Sequence, residues 1–487
     1  MPRDVHNLLV LSDVHLGSDL VQRSRPSLPP LSTTSSARDR ELVRLLDFYA
    51  DRPRGGLPWR LVIAGDFVDF VGMSLPFDPQ ELDTLPTDEE LEHGLGSSMD
   101  HTLAKLRRVA EHHSEVFRAL ARFVCAGHDL VIVRGNHDVD FHWLPVQNAF
   151  RALLTREGAP AERIEFADWF YYEEGVVYVE HGHQYDDFCS YEHVLYPVTP
   201  TDPKRSARSL SDVLLRFVVR PTRGMRESGH DRASALDYLR FGARLGSRGL
   251  VALGRRFVLA VATLLGIWRE HMSDAGRWVR DEHERKMALL AEARKLSLLK
   301  LRALASLQRP PITKSVLRIL AGVMLDRVAV FGLAVVGLAW FAFANWTPTL
   351  GIALACGAVG LVGLSVAWKR ARGNIDASSA LRETAARVSS VFPAAFVVMG
   401  HTHLPEVIPA GKHSTYVNLG AWSEERGDDG EGTALPATRT HLVVEHQGGE
   451  LRAELYTWTS ERGPERFVGL EAAPSAKALD VGSEDPD

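Results

Sequence analysis

Five short apolar runs recur along the chain and set its expected architecture. Asn7–Leu11, Arg60–Ala64, Asp129–Val133, Val176–Val179 and Ala395–Met399 have strand length, and each gives way within two residues to Gly, Asp or His. Continuous apolar runs bounded this way read as buried strands. With longer stretches between them they predict a layered α/β fold, which keeps its chemistry at the C-terminal ends of its strands. Residues 281–307 instead show helical spacing in Met287, Leu290, Leu298, Leu301 and Leu304, as a packing helix does.

A different pattern fills Val328–Trp368, where 41 residues pass without a charged side chain between Arg327 and Lys369. One helix of that length would be roughly 60 Å long, twice the hydrocarbon thickness of a bilayer. Two transmembrane helices fit better, about 328–346 and 349–368, turning near Asn345–Thr349 with Pro348 in the turn. The competing reading is a buried hairpin, which would normally show a polar face. Arg318 and Arg327 precede the first span, while Lys369, Arg370 and Arg372 follow the second. Positive-inside bias therefore predicts an integral membrane protein with its catalytic domain on the cytoplasmic face, as at a bacterial inner membrane.

Charge sharpens this picture. Residues 204–256 carry thirteen Lys or Arg against four Asp or Glu, about +9 in a chain of net −6. Such asymmetry points to an anionic partner, with lipid headgroups favoured over nucleic acid beside a membrane hairpin and a solvated basic face as the plain alternative. Phe257–Trp268, 12 apolar residues between Arg256 and Arg269, looks too short to span and reads as interfacial. Asn7–Leu11 is too short for a signal core, so no cleavable leader is expected. Cys125, Cys189 and Cys356 offer no disulfide framework. Residues 23–38 and 424–439 read as loops, and 466–487 as a disordered acidic tail.

The chemistry sits where the strands end. Asp13-Val14-His15, Gly65-Asp66-Phe67-Val68-Asp69, Gly135-Asn136-His137-Asp138, His181-Gly182-His183 and Gly400-His401-Thr402-His403 follow the five runs in order. Alone, Gly-Asp after a strand is often a turn, and a single loop histidine is usually nothing more. Together the blocks supply carboxylates, an amide oxygen and imidazoles, the ligand inventory of a two-metal hydrolytic site.

These blocks resemble the calcineurin-like metallophosphoesterases, whose pattern is Asp-X-His, Gly-Asp, Gly-Asn-His-Asp/Glu, a lone His and Gly-His-X-His. The resemblance implies a four-layer α/β/β/α sandwich, here with an inserted α-helical membrane module. The expected division is 1–198 and 377–465 for the two parts of the metallophosphoesterase domain, with the helical insertion at 199–376. By the same resemblance Asp13, His15 and His403 would hold one divalent ion, Asn136, His181 and His401 a second, and Asp66 would bridge them. The donor set suits Mn, Fe or Zn. His181 is preferred to His183 because it follows its strand directly. His137 is expected to stabilise the phosphoryl group or protonate the leaving oxygen, with Asp138 orienting its ring.

Downstream, Tyr416-Val417-Asn418-Leu419-Gly420-Ala421-Trp422 is similar to the Leu-Gly-Asp-Trp segment of UDP-2,3-diacylglucosamine pyrophosphohydrolases, with Ala421 in place of Asp. That branch usually carries Arg where His137 stands. The expectation is a membrane-associated phosphoesterase cleaving a phosphoester or pyrophosphate bond in a phosphorylated lipid or nucleotide-lipid, through a hydroxide shared by the two metals. A tethered nuclease or nucleotide phosphodiesterase is the alternative. A non-catalytic membrane scaffold would need none of these ligands.

Overall fold

The computed structural model describes residues 5–20, 37–222, 235–322, 376–423, 437–447 and 450–468, together with the helical glycines Gly357, Gly360 and Gly363. Strands β1 (Asn7–Leu11), β2 (Trp59–Ala64), β3 (Asp129–Val133) and β4 (Ile164–Ala167) run parallel, side by side. β5 (Tyr171–Glu173) and β6 (Gly175–Val179) open a second sheet, and β7 (Val198–Thr199) with β8 (Asp202–Ser206) forms a separate ribbon. β9 (Ala394–Met399), β10 (Glu406–Ala410) and β11 (Ser414–Asn418) complete the second sheet. β12 (Thr440–Gln447), β13 (Glu450–Thr459) and β14 (Gly463–Arg466) then return antiparallel to the first.

Two-residue periodicity explains why the strand runs are apolar throughout. Leu8, Val10, Val62, Ala64, Val131 and Val133 face Val177, Val179, Val398 and Val417 of the other sheet, in a core between the sheets. Their neighbours Leu9, Leu11, Leu61, Ile63, Leu130 and Ile132 face outward. They meet helices α1 (Ala37–Ala50), α3 (Met99–His112), α4 (Ser114–Cys125) and α5 (Leu144–Arg156), with the short α2 (Asp88–His93) preceding α3. The insertion contributes α6 (Leu210–Leu214), α7 (Ala235–His271), α8 (Asp274–Ala293), α9 (Leu298–Leu307) and α10 (Val316–Gly322), and α11 (Ala377–Val391) follows it. On the far side of the second sheet, Tyr178, Val397 and Met399 pack against Met287 of α8, Leu301 and Leu304 of α9, and Leu381 and Val388 of α11. Helix, sheet, sheet, helix is the layering.

The insertion differs in three ways from its expected form. The boundary at residue 198 falls inside β7. The packing helix of residues 281–307 is two helices, α8 and α9, parted near Lys295, whose φ is 54°. Both lie in the outer layer of the sandwich, so that part is integral to the fold. Phe257–Trp268 belongs to a longer helix, because helix geometry continues through Arg255 and Arg256. Within it Val251–His271 is long and apolar enough to cross a membrane by length and composition. One side of that segment, with Ala260 and Leu264 buried, packs on Leu210, Val213, Phe217, Ile312 and Ile319, while Val251 and Val258 are exposed. The two spans expected at 328–346 and 349–368 lie outside the described residues, apart from the three glycines. The loop at 23–38 falls outside except for Ala37 and Arg38, and that at 424–439 except for residues 437–439. Of the expected tail, Arg466 closes β14, and residues 469–487 are not described.

Register then closes the long gap in the ligand pattern. β6 and β9 pair in parallel, with Val179 opposite Val398, and the Gly400 N–H donates to His181 O at 3.0 Å. His181 and His401 are therefore neighbours, although 220 residues separate them in the chain.

Candidate metal centre

The loops after β1, β2 and β9 leave their strands in left-handed turns. Among the described residues, seven non-glycine residues have positive φ, and five of them are Asp13, His15, Asp66, His401 and His403. The left-handed region costs an L-residue roughly 1 kcal/mol or more and persists only where surroundings enforce it. Here the enforcement is backbone pairing across loops. His15 N–H donates to Asp66 O at 2.9 Å, and Trp422 and Ser423 N–H both donate to Asp13 O. Gly135 and Gly400 lack a side chain for a reason: a Cβ would fall on Asp66 Oδ1 at the first and on Asp13 Oδ2 at the second.

The loops bring acceptors together. His181 Nδ1 faces Ala64 O at 2.9 Å, which fixes the proton on that nitrogen. Its Nε2 then points at Asp66 Oδ2 and Asn136 Oδ1, each 3.1 Å away. Asp13 Oδ1 lies 3.2 Å from His403 Nε2, 3.9 Å from His15 Nε2 and 4.0 Å from His181 Nε2. That oxygen is buried without a hydrogen-bond donor, while Oδ2 of the same carboxylate takes Ser12 Oγ at 2.5 Å and His401 N–H at 3.1 Å. Asp66 Oδ2 is 3.7 Å from His15 Nε2, so it faces both histidine groups. Lone pairs converging in a buried space require a cation. The arrangement fits divalent metal, and Asp13-His15-His403 and Asp13-Asp66-His181 each place one donor atom per residue within 4.8 Å of the others.

Electrostatics follow the same logic. Burial opposes ionisation of Asp66, but His181 and His137 outweigh it and hold the carboxyl well below its usual range. Asp13 is held at about 2, burial again being overcome by His181 and His403. His181 moves to about 9, because Asp66 and Asp13 outweigh the cost of burying its charge. Burial, with help from His137, drops His15 to about 3.

His401 sits beside this group. Its ring centroid is 5.3 Å from that of His181, and Nε2 is 3.0 Å from Asp186 Oδ2. The His183 ring centroid is 5.4 Å from that of His181, and its Nε2 takes Gln184 Nε2 at 3.0 Å. Asn418, from the segment similar to Leu-Gly-Asp-Trp, donates through Nδ2 to Gly400 O at 2.8 Å, and buried Trp422 donates through Nε1 to Thr440 O. In this chain the segment braces the rim.

The expected partner of His137 is different. Asp138 accepts from Phe67 N–H at 2.8 Å and Gly135 N–H at 2.6 Å, so one oxygen closes its own loop and the other ties it to the Asp66 loop. Burial and Asp66 raise its carboxyl to about 7. The group on the His137 ring is Asp69, whose Oδ1 lies 2.8 Å from Nδ1. The only sequence signal for Asp69 was its place in the Asp66 block. Asp186, held to His401, stands three residues beyond the His181 block, and that place was its sequence signal.

Residues 6–216 match the family model described as calcineurin-like phosphoesterase, so a domain of that kind occupies this part of the chain. The match includes Asp13, Asp66, Asn136 and His181 and ends well before His401 and His403. No curated protein matches the chain.

Proposed function

We propose that the chain is a membrane-associated, dinuclear-metal phosphoesterase that cleaves a phosphoester or pyrophosphate bond in a phosphorylated lipid or nucleotide-lipid. The observation that carries the hydrolytic reading is the convergence on Asp66 Oδ2 of His15 and His181, with the orphaned Asp13 Oδ1 alongside. Asp13, His15 and His403 would hold one ion, Asn136, His181 and His401 the other, with Asp66 shared. Two divalent ions, Mn, Fe or Zn, supply Lewis acidity toward phosphoryl oxygens and lower the pKa of water.

The chain's own groups do the rest. Oxygen of a water adds to phosphorus while the ester P–O bond on the opposite side breaks. His137 gives its Nε2 proton to the departing oxygen, since Nδ1–H is held by Asp69, and the water's proton passes to solvent.

Membrane association is supported by the charge-free Val328–Trp368 stretch and the apolar Val251–His271 helix. Positive flanks of the charge-free stretch favour the cytoplasmic face. A lipid-linked substrate is supported by that location, because the insertion lies in the chain between the strands that lead to His181 and His401. The test is hydrolysis by the Mn-loaded full chain of UDP-diacylglucosamine, phosphatidyl phosphates, cyclic dinucleotides and single-stranded DNA. Cleavage of a lipid substrate is expected, whereas cleavage of DNA or cyclic dinucleotides alone would replace this reading with a tethered nuclease or nucleotide phosphodiesterase.

A further inference from the structure

One side chain of the helical insertion reaches Asp69, the partner of His137. After α6 the helix widens into a π-turn over Leu215–Val219, and Arg220 follows. Single π-turns inside helices re-aim side chains and are frequent at functional sites. Here the turn sends Arg220 into the first half of the chain, where Nη1 donates to Ser18 O at 2.9 Å and Nη2 donates to Asp69 Oδ2 at 3.0 Å. Asp69 is fully buried, and its other oxygen takes His137 Nδ1 and the Gly72 N–H at 2.7 Å. Space for the guanidinium comes from Gly72, where a Cβ would collide with both Arg220 and Asp69.

We infer that Arg220 is a positioning residue of the catalytic site: it orients Asp69, and through Asp69 the His137 ring, so that the insertion controls proton delivery to the leaving group. The inference rests on the role given to His137 above. An aspartate gripped on both oxygens by fixed donors has one orientation, and a charge-assisted contact from arginine is stronger than a neutral one. The base of the insertion is itself clamped. Arg205 pairs with Glu90 at 2.8 Å, Arg208 with Glu89 at 2.7 Å, and Arg216 with the same Glu89. These contacts hold the π-turn against the catalytic half and make the Arg220 reach reproducible.

The test uses the full chain loaded with Mn and two phosphodiesters, one with a nitrophenol and one with an alkyl alcohol as leaving group. Arg220→Ala should lower kcat on the alkyl ester roughly tenfold or more, with KM and metal content near wild type and a much smaller loss on the nitrophenyl ester. Arg220→Lys should recover part of the loss. In a His137→Ala background, Arg220→Ala should cost nothing further. Equal losses on both esters, or a further loss in that background, would show a merely structural arginine and overturn the inference. A chain that hydrolyses neither ester would sink the phosphoesterase reading instead. Nitrogen-15 NMR of histidine still decides on Arg220 then: the His137 Nδ1–H resonance, assigned by its loss in His137→Ala, should move in Arg220→Ala, and an unmoved resonance contradicts the inference.

Discussion

His181 Nε2 stands 3.1 Å from Asp66 Oδ2, while Nδ1 of the same ring is committed to Ala64 O. The pair has only two stable states, one with a proton between the atoms and one with a metal ion.

Metal binding should therefore release a proton. Without metal His181 titrates near 9, burial being outweighed by Asp66 and Asp13, so the ring is protonated at neutral pH. An ion must displace that proton. Apparent affinity should rise as pH increases toward 9, by up to about tenfold per unit, and level off above. Calorimetry at pH 7.5 in buffers of different ionisation enthalpy should report about one proton released per chain from this site; no buffer dependence would contradict it.

The two aspartates near His137 should separate in their effects. Asp69→Asn weakens the ring's anchor, so kcat should fall roughly 10²-fold for poor leaving groups while both metals stay bound. Asp138→Asn disturbs the backbone N–H groups of Gly135 and Phe67, so its loss should appear in metal content and thermal stability for every substrate alike. Metal analysis alongside kcat for two leaving groups distinguishes them, and reversed patterns would restore Asp138 as the orienting group.

The five ligand-bearing strands were legible because each is apolar on both faces and ends at a loop of polar, chemistry-bearing residues. β10 was not: Val407 is half exposed at the edge of its sheet and Glu406 and Pro409 interrupt the run, so no continuous pattern marks it. The choice between Asp69 and Asp138 was equally hidden, since it depends on which way two loops turn after their strands. Asp138 adjoins His137 in sequence and therefore looked like its partner. Arg220 reaches the site from a segment with no motif, through tertiary packing alone. Even the break between α8 and α9 rests on one left-handed residue, Lys295, inside a stretch of good helix formers.

Close approach at Gly135 makes a sharp prediction. Gly135→Ala would push its methyl onto Asp66 Oδ1, which also accepts His137 N–H at 2.8 Å. Displacing the shared carboxylate by even part of an ångström should lower kcat about 10²-fold. Steady-state kinetics check this, and near-normal turnover would show that the loop can yield.

Acid stability should carry a signature of His441. The ring is buried, its Nε2 lies 2.9 Å from Tyr49 Oη, and burial lowers it from 6.5 to about 3. A depressed histidine favours folding fully above its unfolded value near 6.5 and loses that contribution as pH falls toward 3. His441→Phe should therefore flatten the decline in melting temperature between pH 6.5 and 4 relative to wild type, measured by calorimetry. A parallel decline in both proteins would mean that His441 is not buried neutral.

Asp66 faces both histidine groups, so the account of a shared-carboxylate phosphoesterase rests on it more than on any other residue. The most direct measurement is metal stoichiometry with turnover of a simple phosphodiester, made on wild type and Asp66→Ala after the same Mn loading. Two ions per chain with measurable hydrolysis in wild type, and loss of both in the variant, is the predicted result. An Asp66→Ala chain that keeps two ions and the full rate would contradict it.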